Sequence, residues 1–194
     1  LSIVLSHFEN KDYKHLVLKD PELTKYIDLI PDFFTSHNKI VFIVRDPRAI
    51  ISSMLKVELI KEDNINSSKL IFFNNLYKNK LIKEIAENIF NYFYIAHQSN
   101  VNKNNKLCII KYEEIINEKE SEFLKLEKFV DYKISRKPFE RNYFNFDEKD
   151  PTYSKNYGKG VIKVKSDFND VLPKKSIKMI ETMFSKFNEN YKWW

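Results

Sequence analysis

The chain has 194 residues, 43% hydrophobic and 15% aromatic, enough for one α/β domain spanning 1–194 with a real core and short of a comfortable two. No apolar run nears the roughly 20 residues a bilayer-crossing helix needs, the single Cys108 excludes an intrachain disulfide, and the scattered His7, His15, His37 and His97 give no zinc spacing. The net charge of +6 suits an anionic ligand, but the lysines are dispersed among Asn and Glu, so the charge alone does not indicate nucleic acid.

In chain order, Leu1 to Lys14 has no clear period and reads as a helix tail or a loop. His15-Leu-Val-Leu-Lys19 reads as a short strand stopped by Asp20-Pro21. Glu22 to Phe34 places Leu23, Tyr26, Ile27, Ile30 and Phe34 at helical spacing, with an interruption at Pro31. Thr35 to Asn38 is a turn. Ile40 to Val44 then forms an unbroken β-branched and aromatic run, the pattern of a strand buried on both faces. At Asp46 the pattern changes: Asp46 is a good N-cap, Pro47 suits the first helical position, and Ala49, Ile50, Ile51, Met54 and Leu55 supply an apolar helical face. Arg45 therefore lies where a strand feeds a helix N-terminus, a place that favours an anion such as phosphate. Ser53, seven residues beyond Asp46, returns to the same side of that helix after about two turns.

Glu58 to Ser68 is polar and reads as a loop over the site. Leu70 to Ala96 is a long amphipathic helix with Ile71, Leu76, Leu81, Ile85, Ile89, Tyr92 and Phe93 as its apolar stripe, and Phe90 to Tyr94 reads as packing. Gln98 to Lys106 is a hydrophilic turn, and Leu107 to Lys111 a strand in which Cys108 is a buried thiol. Tyr112-Glu113-Glu114-Ile115 follows, its carboxylates favouring the next helix N-terminus. Glu118 to Val130 is amphipathic, and Tyr132 to Lys155, with Pro138 and Pro151, is irregular and suits a lid. The chain's two glycines, Gly158 and Gly160, flank Lys159, so a Gly-rich phosphate loop is absent from the sequence shown. Pro173 to Asn190 reads as a closing helix, with Tyr191 to Trp194 packing back on the sheet.

Taken together and in order, Lys19-Asp20-Pro21, Arg45-Asp-Pro-Arg48 with Ser53, and the strand leading into Tyr112-Glu-Glu-Ile115 resemble the PAPS-dependent sulfotransferases (PAPS is 3′-phosphoadenosine 5′-phosphosulfate). The Lys-Asp-Pro form is most similar to the tyrosylprotein and bacterial branches. The resemblance covers roughly Leu16 to Val130 and weakens toward the C-terminus. It implies a P-loop NTPase-like three-layer α/β/α fold with a parallel sheet, and transfer of a sulfuryl group from PAPS, without a metal, to a hydroxyl or amine acceptor. Arg45 and Ser53 would hold the 3′-phosphate, Tyr112 would lie by the adenine, and Lys19 would stabilise charge on the departing phosphate. Gly158-Lys159-Gly160 corresponds to a phosphate-closing loop, with Lys159 and Gly160 as candidate ligands. It lacks that loop's Arg and the Gly-Asp-Trp that should follow.

The resemblance further implies that the family's first strand and Pro-x-Ser-Gly-Thr-Thr loop precede Leu1, together with a general base. The chain as given would then be an N-terminal truncation, with the nucleotide site incomplete. Two other readings stay open from the residues alone: a P-loop-class nucleotide kinase using ATP with magnesium, and a basic module binding RNA or another polyanion. Acceptor (carbohydrate, peptide tyrosine or small molecule) and compartment (cytoplasm, or Golgi lumen if an anchor precedes the chain) are not encoded in these motifs.

Overall fold

The computed structural model describes residues 17, 20–33, 39–63, 71–136 and 168–194. Asp20 accepts a hydrogen bond from the Glu22 amide and opens a 3₁₀ turn over Pro21–Tyr26, followed by a short helix α1, Ile30–Phe33. The helix expected over Glu22 to Phe34 with an interruption at Pro31 is thus replaced by two short pieces, and the break falls ahead of Ile30 rather than at Pro31. Prolines at both starts fix φ while removing an amide donor each, which favours a fresh start over one long ladder. Strand β1 is Ile40–Val44, and helix α2 runs over Pro47–Asp63. The expected loop from Glu58 is corrected in its first part: the helix continues through Glu58-Leu-Ile-Lys-Glu-Asp63, a run rich in good helix formers, while the rest of that loop lies outside the described residues.

Helix α3, Ile71–Gln98, is the longest element. A short helix α4, Asn100–Lys103, capped by Ser99, occupies part of the expected turn and leads to strand β2, Leu107–Lys111. Helices α5 (Tyr112–Ile116) and α6 (Glu120–Val130) follow; then come a 3₁₀ turn at Phe168–Asp170 and helices α7 (Lys174–Met183) and α8 (Ser185–Tyr191). The closing helix is therefore broken at Phe184, whose φ of −96° and ψ of 10° end α7. No proline or glycine sits there. The fully buried Phe184 ring instead lodges among Phe90, Phe93 and Phe187.

The two strands pair in parallel, from Ile40 opposite Leu107 to Val44 opposite Lys111. Their connection passes through α2, α3 and α4, as a parallel pair requires. On one sheet face the core gathers Val44, Ile51, Leu55, Ile82, Ala86, Phe93, Ile180 and Phe184. Ile27, Ala96, Val101 and Leu107 form a second cluster at the other end of α3. Burial of each large side chain here contributes about 1.5–3 kcal/mol, so Phe184→Ala is the single change expected to open this core.

The expectation that β1 is buried on both faces fails. Val41 and Ile43 are 37% and 60% exposed, while Phe42 and Val44 face the core. On that outer face α6 packs over β2 beside the buried Ile110 and Phe123, and no described element covers β1. The described fold is mixed α/β with a parallel sheet.

Candidate functional site

The site forms where the two strands end together. Val44 and Lys111 are partners in the parallel register, so their successors Arg45 and Tyr112 leave the sheet side by side. Both segments then turn into helices, and the guanidinium of Arg45 lies over the Tyr112 ring, 4.7 Å from its centroid. A cation–π contact of this kind is worth about 0.5–2 kcal/mol and holds the planar group in one orientation while its N–H edges stay free.

The second arginine of the Arg-Asp-Pro-Arg segment behaves differently. Asp46 caps α2 by accepting from the Arg48 amide (2.9 Å), and its backbone oxygen accepts from Ala49 and Ile50. The Arg48 side chain folds back onto the same carboxylate (2.8 Å) and reaches Glu181 on α7 (2.7 Å) and the Trp193 carbonyl (3.3 Å). It also lies over the Phe168 and Trp194 rings, whose centroids are 4.5 and 4.4 Å from the guanidinium carbon. Burial opposes the charge of Arg48, but Asp46 and then Glu181 more than offset it, so its pKa is raised. Arg48 is thus a structural hub already supplied with two carboxylates. Arg45 makes no ion pair among the described residues and is the cation of the segment left for an external anion.

A strut steadies the junction from the β2 side. The backbone N–H of Asp46 donates to Glu113 Oε1 at 2.7 Å, across 67 residues of sequence. Glu113 Oε2 is buried without a hydrogen bond. Next to it, Glu114 is paired with Lys119 (2.6 Å) and Lys111 (3.4 Å), which lower its pKa in that order of effect. Lys111 also donates to the Tyr191 carbonyl at 2.7 Å, fastening the C-terminal segment over the strand end.

Of the six residues singled out from the sequence, the structure brings Arg45 and Tyr112 into contact. Ser53 is on the exposed side of α2 and makes no hydrogen bond to either among the described residues. At about 1.5 Å rise per residue it stands about 10 Å along the helix from Asp46. Lys19, Lys159 and Gly160 lie outside the described residues. Two participants escaped sequence reasoning. Glu113 read only as a helix-start acid, and Arg48 only as the last residue of the Arg-Asp-Pro-Arg segment. Apart from Asp46, which is two residues from Arg48, the hydrogen-bond partners that define these roles lie 67 to 145 residues away, so no local signal marks them.

The donor set suits an anion such as phosphate: a guanidinium with no ion pair among the described residues, an accessible hydroxyl on the adjoining helix, a 17-residue helix N-terminus and an aromatic face. No described helix is long and apolar enough to cross a membrane. No curated protein and no solved structure matches the chain. A family model described as "Sulfotransferase domain" matches residues 6–189, nearly the whole sequence, and with the Arg45–Tyr112 junction inside that match the chain belongs to the sulfotransferase-domain family.

Proposed function

We propose that this protein transfers a sulfuryl group from PAPS to a hydroxyl or amine of an acceptor, on a P-loop-like α/β/α scaffold of one domain. The observation that carries the reading is the Arg45 guanidinium resting on Tyr112 at the paired strand ends, with the neighbouring arginine neutralised elsewhere. Bound PAPS supplies the sulfuryl group. Arg45 grips the 3′-phosphate through its free N–H edge, Ser53 adds a hydroxyl donor, and Tyr112 borders the adenine. Lys19 places a cation by the leaving phosphate, and Lys159 with Gly160 closes over the nucleotide. Such transfer needs positioning and charge stabilisation more than covalent chemistry from the protein. The acceptor is a carbohydrate, peptide tyrosine or small molecule. Whether it is met in the cytoplasm or in the Golgi lumen follows from where the protein resides.

The test is calorimetric titration of the full-length protein with 3′-phosphoadenosine 5′-phosphate and with AMP. The unaltered protein should prefer the bisphosphate. Arg45→Ala should weaken bisphosphate binding at least tenfold, the loss of a charge-assisted hydrogen bond being about 1.5–3 kcal/mol, and leave AMP little changed. Ser53→Ala should act in the same direction more weakly. Equal losses for both nucleotides would sink the assignment.

A further inference from the structure

Two adjacent residues of one strand end hold two adjacent residues of the other. Tyr112 carries the Arg45 guanidinium on its ring, and Glu113 accepts the N–H of the peptide that joins Arg45 to Asp46. The two contacts act on opposite ends of the same residue. The ring fixes the side-chain head, and the carboxylate fixes the backbone from which that side chain departs. At 2.7 Å the bond from the Asp46 amide to the Glu113 oxygen is short for an N–H···O contact and restrains that peptide. Asp46 has its own duties beside it, capping α2 and pairing with Arg48, so rotation of that peptide would disturb cap and guanidinium together.

We propose that Glu113 is a positioning residue for anion recognition: through the Asp46 N–H it sets the direction from which Arg45 meets the ligand phosphate. The proposal rests on the 3′-phosphate reading above. Glu113 does not touch the nucleotide; it acts through Arg45. The requirement is for an acceptor oxygen at the distance a glutamate side chain reaches, not for negative charge, since a carboxylate close to Arg45 by itself opposes anion binding. Oε2, buried and without a hydrogen bond, contributes nothing to the restraint.

That separation of reach from charge defines the experiment. Glu113→Gln keeps an acceptor oxygen at the same reach and removes the charge. Glu113→Asp keeps the charge and shortens the reach by one methylene. Binding of 3′-phosphoadenosine 5′-phosphate and of AMP would be measured by calorimetry for the unaltered protein and both variants, and the readout is the ratio of the two affinities. The glutamine variant should keep that ratio at the parent's level or raise it, since the acceptor oxygen stays and an opposing charge is gone. The aspartate variant should reduce it roughly tenfold, the scale on which losing an orienting partner acts on a binding group. A general loss of packing would weaken both nucleotides and leave the ratio unmoved. A high ratio in the aspartate variant, or one lowered in the glutamine variant, would overturn the positioning role while the 3′-phosphate site stands. If the unaltered protein shows no preference, the nucleotide reading falls and the positioning role with it.

Discussion

Replacing Arg48 by methionine removes a guanidinium whose side chain is only 9% exposed, along with its bonds to Asp46, Glu181 and the Trp193 carbonyl and its two aromatic contacts. Methionine fills much of the volume, so little of the cost is cavity. The larger effect is Asp46, 14% exposed, left with its helix-cap bond alone. Breaking a buried pair by removing one partner costs about 3–5 kcal/mol. The Glu181 arm, 32% exposed, is screened by solvent and belongs at the low end of any estimate. We expect a loss of about 3–4 kcal/mol, hence a melting temperature lower by about 6–16 °C for a chain of this size. Arg48→Lys should recover less than half of it, because an ammonium neither forks across a carboxylate nor stacks flat on a ring. Thermal denaturation followed by circular dichroism measures both variants. A shift below about 2 °C for Arg48→Met would refute the view that this arginine ties the β1–α2 junction to the C-terminal segment.

Two further outcomes follow from the packing. Lys192 closes α8 in the left-handed region, at φ 51° and ψ 56°, where glycine carries no Cβ penalty; Lys192→Gly should raise stability by about 1 kcal/mol, and an unchanged or lowered melting temperature would contradict the strain assigned there. His97 sits between Phe93, Phe187 and Tyr191; the Phe93 carbonyl only accepts, so Nδ1 carries the proton and Nε2 accepts from the Tyr191 hydroxyl at 2.6 Å. Burial lowers the His97 pKa from 6.5, so the unfolded chain binds more protons and stability should fall as pH drops below 6.5, by up to about 1.4 kcal/mol per pH unit. Denaturant titrations between pH 7.5 and 5 should show a flatter profile for His97→Gln, and parallel profiles would refute this account.

Short-range chemistry made the two strands, the long helix α3 and the Asp46-Pro47 helix start legible in the sequence. Ile40–Val44 and Leu107–Lys111 are brief apolar runs bounded by turn formers, and both appear with the expected limits. Polarity misled at Glu58 to Asp63, where hydrophilic residues also happen to be strong helix formers. The break at Phe184 has no local cause at all; it exists because an aromatic cluster from α3 accepts that ring. The same limit applies at the site. An Arg-Asp-Pro-Arg segment marks a capped strand-to-helix junction, but that its second arginine is the one tied into the fold depends on Glu181 and Trp193, which lie more than 130 residues away.

That division between the arginines is what makes the junction useful. Two cations beside one helix N-terminus would bind any polyanion and discriminate poorly. Here Asp46 and Glu181 absorb the charge of Arg48, and Glu114 pairs with Lys111 and Lys119 on the neighbouring turn. The remaining guanidinium is held against Tyr112, with its parent peptide bonded to Glu113. On the 3′-phosphate reading proposed above, a single oriented donor beside an aromatic face would recognise a phosphate at a set distance from a base, and selectivity would come from restraint on Arg45 rather than from the chain's excess positive charge.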